Sequence, residues 1–367
     1  MSDHGDELHR RARAWVSAFE AKAEMPEPFD ALACDIARHQ AEHVPGFARL
    51  CAARGVDVAA IARADQIPAV PTDAFKLARV AAFPEESTRV VFRTSGTTIG
   101  ARGSHAMRDV STYDQAALAF GRDALARDLP GRVPVLVLGP SPDDLPDSSL
   151  THMIDLFVRE LGVTATRAET YLVDTAGILD LATFDERVAR ATVESQPVLV
   201  LGTSFAYVHF LDAIGKDSFR LPARSRVMQT GGFKGKSREV PAEQLRADLA
   251  LAFHVPEWAI VAEYGMTELS SQFYERTLND PTASHGVYAE PPWARVVPVD
   301  PETLVPVAEG QVGIARIVDL MNVDSAVVVL AADRVRRTEG GFELLGRAPG
   351  APPRGCSIAI DEIMGQA

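Results

Sequence analysis

Four short stretches carry residue types suited to chemistry on phosphates and carboxylates. The first, residues 94–100 (TSGTTIG), follows an apolar run ending VVFR. Its glycines and small hydroxyl residues leave backbone N–H groups open to an anion. The hydroxyls of Thr94, Ser95, Thr97 and Thr98 add donors around Gly96 and Gly100. A plain polar turn uses the same residues, and the string is not the GxxxxGK[ST] nucleotide loop. The second stretch, 228–236 (MQTGGFKGK), pairs Gly231 with Gly232 before Phe233, so that a flat ligand can approach the backbone; a glycine turn is the alternative. The third, 263–271 (EYGMTELSS), sets Tyr264, Gly265, Thr267 and Glu268 after an apolar strand. Glu268 suits a hard cation bridging phosphates, or else Thr267 and Glu268 begin a helix. The fourth, 331–347 (AADRVRRTEGGFELLGR), holds Asp333 and Arg347 on either side of a Gly-Gly hairpin. A carboxylate there can take two ribose hydroxyls; otherwise this is a surface hairpin.

The elements that must position these residues follow from apolar periodicity. Residues 1–75 read as helical, with Phe29, Leu32, Ile36 and Ala37 on one helix face. Residues 67–72 (IPAVPT) carry two prolines and read as an extended linker. From about residue 80, strands at 89–93, 133–138, 198–201, 226–229 and 259–263 alternate with amphipathic helices. One helix places Leu150, Met153, Ile154, Phe157 and Leu161 in a stripe. Another opens at Pro241 and aligns Leu245, Leu249 and Phe253. Such alternation predicts an α/β fold with parallel-rich sheet. After Pro291 helices are expected to stop, and 312–318, 326–330 and 342–345 predict a β-rich subdomain. The expected organisation is thus a helical region 1–75, an α/β core 76–290, a β-rich subdomain 291–347 and a tail 348–367.

Bulk properties exclude several classes. The chain has 367 residues and enough apolar content, 47%, for a substantial core. Its 50 acidic against 37 basic residues give a net charge of −13, the wrong sign for a general nucleic-acid binder or for an anionic membrane surface. No apolar run approaches the roughly 20 residues that span a bilayer, and the polar first ten residues lack a signal-peptide core, so a cytoplasmic setting is expected. Cys34, Cys51 and Cys356 form neither a disulfide framework nor zinc-ligand spacing, and the nine histidines show no paired-ligand pattern.

In this order the four stretches resemble the adenylate-forming superfamily of acyl-CoA synthetases, peptide-synthetase adenylation domains and luciferase-type ligases. The resemblance covers about residues 92–347. It implies a Ser/Thr/Gly phosphate loop at 94–100 and an adenine-side glycine pair at Gly231–Gly232. It implies the YGxTE signature at Tyr264, Gly265, Thr267 and Glu268, and ribose contacts from Asp333 and Arg347. More narrowly, IPAVPTDAFK, FRTSGTT, QTGGFKG and RGCS resemble the Lux-type fatty-acid–protein ligases, or acyl-protein synthetases, with phenylacetate–CoA ligases as cousins. The implied activity uses ATP and Mg2+ to activate a carboxylic acid as an acyl-adenylate. The acyl group then passes to a thiol.

Two departures shape the expectations. The lysine that usually follows the phosphate loop is replaced by Ala101 and Arg102. Larger superfamily members carry a catalytic lysine on a mobile C-terminal domain, whereas the 20 residues after Arg347 contain none. Lys234 and Lys236 are therefore candidate cations, or else solvated surface lysines. Cys356 lies in RGCS beyond a Pro/Gly-rich stretch that should not be helical. The adjacent Arg354 would lower its thiol pKa, and the resemblance makes it the acyl-accepting thiol on a flexible arm. Coenzyme A or a carrier protein are the alternative acceptors. The rival readings are a phenylacetate-type CoA ligase and a non-catalytic nucleotide-binding subunit of an acyl-reductase assembly.

Overall fold

The computed structural model describes residues 2–94, 102–231, 240–348 and 354–365. They fall into two compact units. One comprises 1–119, 266–272 and 289–367; the other comprises 120–265 and 273–288. The division returns to the first unit at 266–272, within the stretch that carries Thr267 and Glu268.

The first unit begins with helices α1 (Ser2–Ala21), α2 (Phe29–His43) and α3 (Pro45–Ala53). The expected stripe of α2, Phe29, Leu32, Ile36 and Ala37, is buried, and Gln40 is buried with it. Pro45 takes the first turn of α3, where its missing N–H costs nothing. The stretch read as a linker is partly a strand. β1 (Val70–Pro71) pairs in parallel with residues 329–330, and Thr72 N–H donates to Leu330 O at 3.0 Å. A short helix, α4 (Ala74–Leu77), follows. β2 (Val90–Arg93) and β3 (Ser104–Met107) form an antiparallel hairpin with Phe92 opposite His105. α5 (Ser111–Leu125) is divided between the two units.

The second unit contains β4 (Val135–Leu138), α6 (Ser149–Leu161), α7 (Arg167–Thr170), α8 (Leu181–Val193), β5 (Leu199–Thr203), α9 (Ser204–Ile214), β6 (Arg226–Thr230), α10 (Ala242–Phe253) and β7 (Ile260–Tyr264). β4 to β7 pair in parallel in sequence order, as expected for strands joined through helices. β8 (Phe273–Glu275) then runs antiparallel to β7, and β9 (Val287–Ala289) follows. The parallel strands are buried along nearly their whole length because both faces are covered, and each carries an apolar run. Val200 and Val227 pack with Phe184, Phe210, Leu249 and Phe253 in one buried cluster. Each such aromatic side chain contributes about 1.5–3 kcal/mol by burial.

Back in the first unit, β10 (Ala294–Val299), β11 (Val312–Asp319), β12 (Val328–Thr338) and β13 (Gly341–Arg347) form an antiparallel meander. Gly340, at φ +83°, closes the last hairpin in a conformation that side chains avoid. Helices do not stop there: α11 (Arg354–Met364) ends the described chain. The prolines at 352 and 353 precede this helix instead of preventing it, since proline is tolerated at a helix start. The mixed α/β class read from the sequence is the class observed.

One buried ion pair fixes the β7–β8 corner. Glu275 is fully buried; it accepts two 2.7 Å bonds from Arg246 Nη2, one of 2.8 Å from Ala262 N–H, and one from Gly286 N–H. Glu275→Gln leaves the Arg246 guanidinium buried without its counter-charge. We expect a loss of about 3–5 kcal/mol, read as a lower urea midpoint at unchanged m-value.

Candidate active site

Within the first unit, the segment 266–272 has no helix or ladder of its own. It makes a turn at Thr267–Glu268, closed by Leu269 N–H donating to Met266 O at 3.1 Å. The alternative of a capped helix is therefore not what forms. The segment is held by side chains from elsewhere. His105 Nδ1 donates to Thr267 O at 2.7 Å. Burial pushes the His105 imidazole down to about 4, so it is neutral at ordinary pH. Asn322 Nδ2 donates to Glu268 O at 2.9 Å, and Ser270 Oγ donates to Asn322 Oδ1 at 2.7 Å. Asp319 accepts from Ser270 N–H at 2.9 Å and Ser271 Oγ at 2.6 Å. Gln40 of α2 binds the carbonyls of Asn322 and Val323 and receives Val327 N–H. The Glu268 side chain is itself buried.

The same His105 belongs to the hairpin that bounds the first glycine-rich stretch. Thr94 N–H donates to Gly103 O at 2.9 Å, and Gly103 N–H to Thr94 Oγ1 at 2.8 Å. Arg102 Nε donates to Thr94 O at 2.7 Å and its Nη2 to Arg93 O at 3.2 Å. Arg102, considered from sequence as a stand-in for the missing lysine, is thus engaged at the base of the loop. One hairpin therefore frames the stretch 94–100 and also fixes the carbonyl of Thr267. Ser95, Gly96, Thr97, Thr98 and Gly100 themselves lie outside the described residues.

Asp333 of β12 stands opposite Arg347 of β13, with Arg347 Nε 3.6 Å from Asp333 Oδ1. The hairpin read from the sequence brings this pair together. Asp333 is largely enclosed and Arg347 is exposed, so their ion pair contributes little to stability.

In the second unit, β6 ends at Thr230 and β7 at Tyr264. Gly231 follows with φ +69°, a turn that only glycine makes without strain. Tyr264 packs against Phe273 and Tyr288, with ring centroids 5.9 and 6.1 Å away. Gly265 follows directly. Gly232, Phe233, Lys234 and Lys236 lie outside the described residues. Glu263, one residue before Tyr264, is buried and receives the Thr230 hydroxyl; burial pushes its carboxyl up to about 7. No role was read for it from sequence, nor for His105, Asp319 or Asn322. A run of polar residues between two apolar strands, MNVDS at 321–325, was the one available signal.

Cys356 differs most from expectation. It is a buried residue of α11 rather than a thiol on an open arm. Arg49 of α3 donates to Ile363 O at 2.7 Å, and Arg54 pairs with Glu362 at 2.7 Å. Gly355 N–H donates to Pro301 O at 3.1 Å. A Cβ at Gly355 would meet Leu304 Cδ2 at 2.7 Å and Pro301 O at 2.9 Å. Burial, aided by the charge of Asp73, pushes the thiol up to about 11, opposite to the lowering expected from an adjacent arginine.

Among the described residues no cluster of three or more His, Cys, Asp or Glu can hold a metal, and no helix is long and apolar enough to cross a membrane. The family model described as "Acyl-protein synthetase, LuxE" matches residues 12–365. No curated protein matches. Among solved structures, 2-hydroxyisobutyryl-CoA ligase in the postadenylation state with R3-HIB-AMP aligns at TM-score 0.60 and 12% identity. That alignment covers 87% of this chain and 67% of the other. The open conformation with 2-HIB-AMP and CoA aligns at TM-score 0.56 and 12% identity, covering 86% and 73%. ATP-bound MatB from Rhodopseudomonas palustris aligns at TM-score 0.49 and 16% identity, covering 70% and 47%, so this chain spans about half the length of MatB. The likeness to the 2-hydroxyisobutyryl-CoA ligase structures establishes the fold.

The docked α11 makes a direct prediction. With its pKa near 11, about one thiol in a thousand is ionised at pH 8. In a Cys34→Ala/Cys51→Ala background, Cys356 should react with a disulfide reagent at least 100-fold more slowly in the folded chain than in urea. Gly355→Val, which cannot fit against Pro301, should raise the folded rate at least tenfold. A folded wild-type rate equal to that of a free thiol would show that α11 does not protect Cys356.

Proposed function

We propose that this chain, which belongs to the acyl-protein synthetase family, uses ATP to convert a carboxylic acid to an acyl-adenylate and then passes the acyl group to a thiol. The observation that carries this reading is the family match over residues 12–365, taken with the YGMTE string that begins at the end of a parallel strand. Open α/β sheets bind ligands at the carboxyl ends of their strands.

The first step joins a substrate carboxylate oxygen to the α-phosphorus of ATP and breaks the bond from that phosphorus to the bridging oxygen, releasing pyrophosphate. Most of its catalysis is positioning and charge neutralisation. Residues 94–100 would cradle phosphate oxygens with backbone N–H groups and hydroxyls. Asp333 would accept the ribose hydroxyls with Arg347 beside it, and Tyr264 with the Gly231–Gly232 turn would face the adenine. A single buried carboxylate suits magnesium, which takes one or two carboxylates and completes its shell with phosphates and water. Glu268 would hold that ion, which supplies neutralisation of phosphate charge when bound. Thr267 would stand beside it with its hydroxyl, and Lys234 is the candidate cation for the α-phosphate.

In the second step a thiolate attacks the acyl carbon, the carbon–oxygen bond to AMP breaks, and the thiol proton passes to solvent. In this scheme the chain is a fatty-acid–protein ligase, with Cys356 as the first acceptor and an acyl-reducing protein or a carrier protein as the later one. Coenzyme A is the alternative thiol.

Isotope exchange between pyrophosphate and ATP, run across a panel of straight-chain and aryl acids, tests the first step. We expect exchange that depends on one acid class, and its loss by at least 100-fold in Glu268→Gln; loss of less than tenfold would remove Glu268 from phosphate chemistry. Cys356→Ser should retain exchange, yet carry no hydroxylamine-labile acyl label. Equal acyl delivery by this variant would assign the acceptor role to coenzyme A or a carrier thiol.

A further inference from the structure

Glu263 is a buried carboxyl with no cation partner among the described residues. Its hydrogen bond comes from Thr230 Oγ1. The two residues are register partners at the ends of β6 and β7. Thr230 immediately precedes the Gly231 turn, and Glu263 immediately precedes Tyr264 and Gly265. Ser204, at the start of α9, reaches the same corner, with Gln229 Oε1 at 3.0 Å and Gly231 O at 2.7 Å. Side chains therefore brace the last pair of the β6–β7 ladder and the Gly231 carbonyl just beyond it.

We propose that Glu263 is a positioning residue for nucleotide binding: its carboxyl ties to Thr230 and thereby holds the Gly231 turn and the Tyr264–Gly265 backbone at a fixed separation. The inference rests on the functional reading above. A glutamate at this place gives the tie a pH dependence that glutamine would not. The groups facing it are Thr230 of β6 and Tyr288 of β9, whose phenol is raised by burial and by the charges of Glu275 and Glu263. Beyond Tyr288 lies the Arg246–Glu275 pair, whose charges offset each other. None of these supplies Glu263 with a counter-charge. Its carboxyl holds its proton more tightly in the folded chain than in the unfolded one. The contribution to stability is therefore full below the ordinary value of 4.5 and is lost as the pH rises through about 7. Above that, the cost of burying the charge exceeds what the Thr230 hydroxyl returns to it, the ionised group is driven toward water, and the strand end loosens.

The test is equilibrium binding of Mg·ATP from pH 6 to 8.5 by wild type, Glu263→Gln and Thr230→Val. The wild-type dissociation constant should rise at least fivefold more over that range than that of Glu263→Gln, a ratio that cancels the titration of the nucleotide itself. Glu263→Gln keeps a neutral hydrogen-bonding group and should match wild type within twofold at pH 6. Thr230→Val should bind at least fivefold more weakly at pH 6. In pyrophosphate exchange at pH 8.5, the Gln variant should lower the KM for ATP while leaving that for the acid unchanged. Identical pH dependence in wild type and Glu263→Gln, or unimpaired binding by Thr230→Val, overturns the tie and leaves the functional reading standing. Absence of Mg·ATP binding by wild type at pH 6 overturns that reading, and the tie with it.

Discussion

The turn that carries Thr267 and Glu268 depends on hydrogen bonds that do not belong to any regular element. Asp319 and Asn322 sit at the end of β11 and just past it, and between them they take up Ser270 N–H, both serine hydroxyls and Glu268 O. A buried backbone group left unpaired costs about 1–3 kcal/mol, so a segment without a ladder survives inside the protein only if side chains supply its partners. Gln40 supplies the next layer by binding the backbone on both sides of Val323. The turn is thus anchored through β11 to α2, and the placement of a helix distant in sequence becomes a condition for the placement of Glu268.

His105 extends the same constraint to the glycine-rich loop. It sits on β3 directly opposite Phe92, and its bond to Thr267 O joins the hairpin to the turn. A protonated imidazole would be poorly tolerated at this depth, and burial keeps His105 neutral down to about pH 4. Neutral imidazole has one donor and one acceptor, and here the donor is committed to a carbonyl. That commitment makes His105 a structural strut. It also fixes the base of the glycine-rich stretch, where Thr94 and Gly103 pair.

The elements were legible in the sequence because they follow from periodicity. The apolar runs around Val200, Val227 and Val261 read as buried parallel strands, and the helix faces of Leu245, Leu249 and Phe253 are buried as expected. The hairpin joining Asp333 to Arg347 followed from its glycines. What escaped notice depended on partners far apart in sequence. Gln40 and Asn322 are 282 residues apart, and His105 and Thr267 are 162 apart; no local pattern marks such pairs. Pro71 misled for a related reason. A proline pair suggests a linker, but β1 pairs on one side only, with β12, where a missing N–H is tolerated.

Cys356 shows how local composition and tertiary packing pull apart. Prolines and glycines at 349–355 argue for an open chain, and an arginine two residues away argues for a reactive thiolate. The helix that follows nevertheless has an apolar face, with Cys356, Ala359 and Ile363 all buried. Burying those groups outweighs the local propensities, and it reverses the sign of the pKa shift. An acyl-accepting thiol needs the opposite conditions: exposure to the mixed anhydride and a fraction of thiolate large enough to attack it. Both are met only if α11 leaves its seat on α3. The contacts that would have to break are an Arg54–Glu362 pair, one arginine-to-carbonyl bond, the Gly355 N–H bond to Pro301 O and a short apolar face. These are the weak, local attachments of an element that can open well below the free energy of global unfolding. In the proposed function, the thiol is then protected while idle, and its reactivity is set by the undocking of a helix more than by the chemistry of its neighbours.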